Sequence, residues 1–406
     1  MVSTRRGRTC ARLLLAACVA CLACLACNAL LGNEPVSLDV LDARPDPKLD
    51  AAAPSAPPPW ADASAEASAC AADLARDPRN CGACGRDCLA GACSGGLCQP
   101  FVVATALPGP AHLATDDAGT LYVVTADGAV RACSTSGCGA STRVVTALGA
   151  DAGNPLLTGL TARGGNVYFA GYYTNAIYAC PTSGCARPTI VASGVPQPFH
   201  LQVDATNLYF VSASAPFVGR CALPSCAGGV VRMATDGLKA YYGTVADGPY
   251  VYWYGGGPTQ QFDRSIVYRT PKTAIDAAPE VLLRDRTVKF GGPSMTNLAL
   301  RDGQLYFPED GPDALTGTLL RFTLGSTQPP TVLVGKLPPV RGVAVDDRHV
   351  YFVSYQAGTI SRCDLAGCAA PTTLATSQDT PTGPLITRDA VYWTEYSAGN
   401  IKGIAK

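Results

Sequence analysis

Two of the three histidines in this 406-residue chain occupy matching surroundings. His112 opens "HLATD" and His200 opens "HLQVD", and each stretch leads into an apolar residue followed by tyrosine. The matching positions elsewhere in the chain are Gly159, Gly243, Asn297, Gly342 and Pro384. Two imidazoles and an amide brought together can hold a metal ion or a small anionic ligand. His112, His200 and Asn297 are therefore the candidate ligand-binding residues. The plainer alternative is that they are hydrogen-bonded caps on the starts of strands. His349 stands immediately before a tyrosine motif, at the other end of its repeat, and is incidental.

Other catalytic patterns are missing. The chain has no Gly-rich phosphate loop, no His-Glu-x-x-His and no nucleophile elbow. Ser, His and Asp are all present, but no spacing selects a triad. No catalytic residue is assigned, and no cofactor is implied beyond a metal ion between the imidazoles. The formal net charge is +0 and only 15% of residues are charged, so nothing draws the protein to nucleic acid.

Cysteine is the other reactive type, with 19 copies. Four pairs are spaced Cys-x4-Cys: Cys133/Cys138, Cys180/Cys185, Cys221/Cys226 and Cys363/Cys368. A short antiparallel hairpin brings such ends within disulfide reach. Closing a loop of that size contributes roughly 2 kcal/mol, and redox work would want closer spacing or an activating charge. These are expected to be structural staples. Six more, Cys70, Cys81, Cys84, Cys88, Cys93 and Cys98, crowd a segment too short to bury a core. Cross-links among themselves are the expected substitute for a core. Cys81-x-x-Cys84 also has zinc-ligand spacing, but no histidine accompanies it.

The elements that must position these residues are repeats. An apolar residue followed by tyrosine recurs in "LYVVT", "VYFAG", "LYFVS", "VYWYG", "LYFPE", "VYFVS" and "VYWTE", at Tyr122, Tyr168, Tyr209, Tyr252, Tyr306, Tyr351 and Tyr392. The spacing of 41 to 54 residues suits a four-stranded propeller blade. Each motif, strand B, follows a strand A such as "HLATD" and precedes a strand C such as "TISRC" and a strand D such as "TIVASG". Strand D is short by one copy after the first A. "FVVATAL" at 101–107 resembles it, and it should pair with "NIKGIAK" to complete the seventh blade and hide the open edge. The expected fold is an all-β, seven-bladed β-propeller over 100–406, with six or eight blades as alternatives.

The B-strand motif resembles the YWTD repeat of lipoprotein-receptor propellers and, more broadly, the NHL and lyase-type bacterial propellers. "VYWTEYSAGNIKGI" is similar to the repeat of streptogramin-lyase-type propellers. That resemblance implies a catalytic histidine and a metal-binding carboxylate at the channel mouth, whereas late blades here hold no channel histidine and Glu395 belongs to the repeat pattern. "DPRNCGACGRDC" is similar to a cysteine motif of stigma-specific-type secreted proteins and of bacterial lipoproteins, which implies no chemistry.

The N-terminal segment reads as targeting. "MVSTRRGRTCAR" is basic and "LLLAACVACLACLAC" is apolar but short for a membrane span. Its small-residue-then-Cys ending resembles a bacterial lipobox, with Cys18, Cys21, Cys24 and Cys27 as acceptors. Removing the four cysteines before Cys27 and lipidating Cys27 leaves 14, an even number. The expected order is a lipoprotein signal peptide at 1–26, a lipid anchor and Ala/Pro-rich linker at 27–69, a cysteine module at 70–99 and the propeller. The implied location is the cell envelope, anchored to the outer membrane or cell surface, with a secreted protein as the alternative.

Strand alternation places D–A and B–C connections on one face and the staples on the other. The first face carries the long segments "YGGGPTQQFDR", "RDRTVKFGGPSMT" and "PEDGPDALTG". A monomer that binds a protein, glycan or small ligand on this loop-rich face is the leading functional expectation. A propeller lyase or metal-assisted hydrolase using His112 and His200 is the rival.

Overall fold

The tyrosine motifs are apolar at successive positions rather than alternating, the pattern of a strand buried on both faces. In the computed structural model these are the second strands of seven four-stranded antiparallel sheets. The structure describes residues 72–149, 156–215, 217–235, 241–256, 265–286, 298–310 and 317–406. Blade one runs outward through Pro110–Thr115, Thr120–Thr125, Ala129–Ser134 and Arg143–Ala147. The same A–B–C–D order repeats through blade six. The A strands touch their neighbours around a closed circuit. The fold is the expected all-β, seven-bladed propeller.

Blade seven takes Pro381–Ile386, Ala390–Glu395 and Asn400–Ala405 from one part of the chain and Phe101–Ala104 from another. The register pairs Phe101 with Gly403, Val102 with Lys402 and Ala104 with Ile401. The strand stops at Ala104, short of the expected Leu107. Even so, the Leu107 N–H still donates to the Gly399 carbonyl at 2.9 Å. Phe101, Val103 and Leu107 are buried against Leu121 and Val123 of blade one and Tyr392 and Ile401 of blade seven.

Each blade interface has its own apolar cluster. Tyr122 and Val130 of blade one pack with Phe169 and Tyr178 of blade two, and equivalent clusters fill the other six junctions. Burying one such aromatic or aliphatic side chain is worth about 1.5–3 kcal/mol. Stability is thus distributed around the ring, and no blade buries its own faces alone.

The tyrosines have a polar task as well. The hydroxyls of Tyr122, Tyr209 and Tyr351 donate to Asp116, Asp204 and Asp346 at 2.8, 2.8 and 3.0 Å. The other carboxylate oxygen of each aspartate accepts backbone N–H groups of the A–B turn. In two places a lysine from the next blade joins. Lys272 reaches Asp204 at 2.9 Å and Lys406 reaches Asp346 at 2.8 Å, each ammonium lying 5.3 Å from the centre of the tyrosine ring. These clamps tie blade three to four and blade six to seven.

All four expected staples form: Cys133–Cys138, Cys180–Cys185, Cys221–Cys226 and Cys363–Cys368. Two also serve the ring. The Cys138 N–H donates to Val103 and the Cys185 N–H to Val145, each on the outer strand of the preceding blade.

The cysteine module contains one small hairpin, Cys93–Ser94 with Leu97–Cys98. Cys81–Cys93 and Cys88–Cys98 are disulfides, and Cys84 is disulfide-bonded as well. Cys70 lies outside the described residues. The sulfurs of Cys81, Cys88 and Cys98 lie within 4.8 Å of one another. That proximity comes from two adjacent disulfides, whose sulfurs are not thiolate ligands. The module packs on Ala405 of blade seven. Cys27 and the targeting segment lie outside the described residues. Among the described residues no helix is long and apolar enough to cross a membrane.

Partial burial pushes the Asp204 and Asp346 carboxyls up, but turn N–H groups, lysine and tyrosine outweigh it and hold both well below the carboxylate range. Their stabilisation is therefore complete above the unfolded value of about 4 and is lost as pH falls below it. Asp204→Asn with Asp346→Asn should lower the melting temperature at pH 7 and flatten its decline below pH 4. A decline identical to that of the parent chain would contradict the clamps.

Candidate functional site

The A strands line the ring axis, and most of them carry a register shift near their start. The A–B register slips between Pro110 and Leu113, Leu157 and Gly159, Phe199 and Leu201, Tyr242 and Thr244, Val340 and Gly342, and Thr382 and Leu385. A bulge re-aims the residue it contains and ends regular pairing. His112 lies within the shift of blade one and His200 within that of blade three. His200 has φ 42°, a left-handed conformation that side chains other than Asn, Asp and His seldom take.

The structure brings the two histidines together. Their ring centres are 5.8 Å apart with planes at 86°, edge against face. They come from blades one and three, so blade two must leave room between them. Its equivalent residue is Gly159. A side chain there would meet Leu201 Cγ and N at 3.0 Å and His200 N at 3.3 Å. His200 is also held by Phe199, with ring centres 4.8 Å apart. It is 7% exposed. Burial, reinforced by His112, depresses its imidazole to about 3, so it is neutral at physiological pH.

The two histidines are not equivalent as ligands. His112 lines an axial cavity of about 310 Å³, whereas His200 sits behind it and supports it. Leu113, Val245, Val343, Val345, Leu385 and Ile386 supply much of the wall. Among the described lining residues, His112 and Gln202 provide the polar side chains. Gln202, opposite Tyr209 in strand A, was not singled out in the sequence, yet it lines the cavity. Asn297, the third expected site residue, lies outside the described residues. So do most of the long segments of the loop-rich face.

The register corrects one assignment. Counting back from the residue opposite each tyrosine puts Gly383, not Pro384, in the histidine place of blade seven. The spacing agrees: His200 and the glycines of blades two, four and six stand nine residues before their tyrosines, as Gly383 does, whereas Pro384 stands eight before. Gly383 has φ 118°, and its carbonyl presses on the position where a Gly342 side chain would stand. Blades six and seven approach too closely there for anything but glycine.

His349 lies on the staple face as expected, 4.0 Å from Asp346 and against Tyr351. Glu395 is buried in the B–C turn of blade seven. It accepts from Asn400 Nδ2, Lys402 Nζ and the Asp379 N–H, each at 2.9 Å. Partial burial pushes its carboxyl up, and these donors outweigh the effect and hold it below the ordinary range.

No family model matches the sequence, and no curated protein matches it. Solved structures do. Virginiamycin B lyase from Staphylococcus aureus shares 13% identity over 76% of this chain and 98% of its own, with a TM-score of 0.57. YCF48 bound to a peptide shares 10% over 76% and 96%, also at 0.57. The WD40 propeller domain of Doa1 shares 11% over 76% and 97%, at 0.55. A lyase, a peptide complex and a WD40 domain share this architecture, so the likeness is one of fold.

His200→Asn should preserve the left-handed backbone and fold normally, whereas His200→Leu should lose about 1 kcal/mol or more to strain alone. The unfolded chain takes up a proton near pH 6.5 and folded His200 only near 3, so parent stability should fall as pH drops from 6.5. Urea titration of His200→Asn should show a flatter profile between pH 6 and 4. A profile parallel to the parent would contradict a buried neutral imidazole.

Proposed function

We propose that this protein is an extracytoplasmic binding propeller that takes a small, largely apolar ligand into its channel mouth. The observation that carries the reading is the axial cavity. Its volume of about 310 Å³ falls at the lower end of the small-molecule range. An apolar wall would drive entry, and His112 and Gln202 would orient one polar group. His200, neutral and fixed by Phe199, would hold His112 in place. Disulfides throughout the chain belong to an oxidising compartment, which supports an extracytoplasmic location. We place the chain in the cell envelope as a monomer, with Cys27 as its lipid anchor and residues 28–69 as a spacer.

The rival reading is a metal-assisted hydrolase or lyase on His112 and His200. It asks for a carboxylate beside the imidazoles. Among the described lining residues there is none, and Glu395 is already engaged by three donors. Binding without chemistry is the better supported function.

Ligand-observed NMR with a library of small apolar alcohols, amides and acids tests the channel. Hits should disappear when Ala344→Phe fills the cavity and weaken about tenfold in His112→Ala. Hits that persist in Ala344→Phe, or a screen without any, would exclude the channel as the site. Mass spectrometry of the mature protein tests the anchor separately. A diacylated or triacylated Cys27 is expected, and an unmodified N-terminus would exclude it.

A further inference from the structure

The full clamp is present at two junctions, and others depart from it. Five residues before the tyrosine, blades three and six hold Asp204 and Asp346, which accept from the tyrosine hydroxyl. Three residues beyond the C-strand residue aligned with tyrosine, the following blades hold Lys272 and Lys406. Blade five has Arg301 in the aspartate place, and blade six has Leu365 in the lysine place. Neither half of the clamp is present at this junction, and the same replacements, Arg163 and Leu223, occur between blades two and three, where the Tyr168 hydroxyl donates to the Pro224 carbonyl instead.

The space is not filled by other side chains. A cavity of about 480 Å³ opens between blades five and six on the staple face, lined by Arg301, Asp302, Gln304, Tyr306, Arg321, Gln328 and Leu365 among others. Tyr306 is packed like the other repeat tyrosines, at 3% exposure, yet it lacks the aspartate five residues before it that accepts the hydroxyls of Tyr209 and Tyr351; the nearby acid is Asp302, which also lines the cavity. Arg321, paired with it across the strands, donates one N–H to the Leu365 carbonyl at 3.1 Å and has no acidic partner among the described residues. The acid beside Arg301 is its chain neighbour Asp302, at 3.4 Å and 87% exposed. Two guanidinium groups and a phenol therefore surround the place where blades three and six put a carboxylate.

We propose that this cavity binds a small hydroxylated carboxylate, of the uronic acid class, whose carboxyl stands where Asp204 and Asp346 stand in their own blades. Tyr306 and Arg321 donate to it, the planar guanidinium matching carboxylate geometry. Gln304 and Gln328 meet its hydroxyls, and Leu365 walls the site where a lysine would otherwise compete for the acid. The site lies off the axial channel and is independent of the channel ligand.

The test is isothermal titration of the full chain with glucuronate. Saturable one-to-one uptake is expected, weakened about tenfold or more in Arg321→Gln. Tyr306→Phe removes one donor without disturbing packing and should weaken it severalfold. Arg301→Asp supplies the carboxylate from the chain itself. It should abolish uptake and leave the melting temperature equal to or above that of the parent. Ala344→Phe in the channel should leave uptake unchanged. No saturable uptake at tens of millimolar, uptake untouched by Arg301→Asp and Arg321→Gln, or equal uptake of inorganic sulfate would each overturn the proposal.

Discussion

The ring depends on one pairing: Phe101–Ala104 against Asn400–Ala405. A blade is a small twisted sheet with apolar faces on both sides and hydrogen-bonding edges. Six of the blades satisfy themselves from contiguous sequence. The seventh is shared between segments about three hundred residues apart in the chain, so it forms only when the whole circuit is in place. Each face of every blade is then covered by a neighbour, and the cost of closing the long loop rises only slowly with its length. The outer strand of blade seven further accepts the Cys138 N–H of blade one through Val103. Closure is thus fixed by a sheet, a buried cluster and a stapled turn together.

Once closed, the ring makes its repeats structural and leaves its departures for function. In blades one, three and six tyrosine and aspartate lock the A–B turn, and after blades three and six a lysine of the following blade spans the junction. At two departures from the pattern, space or chemistry appears. Gly159 leaves room for His112 to meet His200. Arg301 and Leu365 leave the blade five–six junction open and basic. In a rigid frame such local substitutions can create sites without disturbing the architecture, because each interface has its own buried cluster.

Much of the fold was legible because its signals are local or periodic. The seven tyrosine motifs mark strands buried on both faces, the Cys-x4-Cys pairs mark the C–D hairpins, and "FVVATAL" matched the missing D strand. The site was legible only in part. His112 and His200 shared a register and do meet, but their unequal exposure depends on bulges that leave no mark in the spacing. The blade-seven equivalent is Gly383 rather than Pro384, which the nine-residue spacing to the tyrosine in the sequence already indicated. The clamps were less visible still. Asp204 ended a quoted A strand and Asp346 ends the matching one, but Lys272 and Lys406 lie 68 and 60 residues from them and are set in place only by stacking of the next blade. Gln202 drew no notice because a glutamine within a strand is ordinary until an axis is known.

The most direct test of closure is thermal denaturation of the chain lacking residues 101–107. Phe101, Val103, Ala104 and Leu107 are all buried, and their removal strips the edge of Asn400–Ala405. Loss of several kcal/mol of burial should lower the melting temperature by about 10 °C or more. A melting temperature equal to that of the intact chain would show that the seventh blade stands without its outer strand, and the closed ring would not be what holds this fold together.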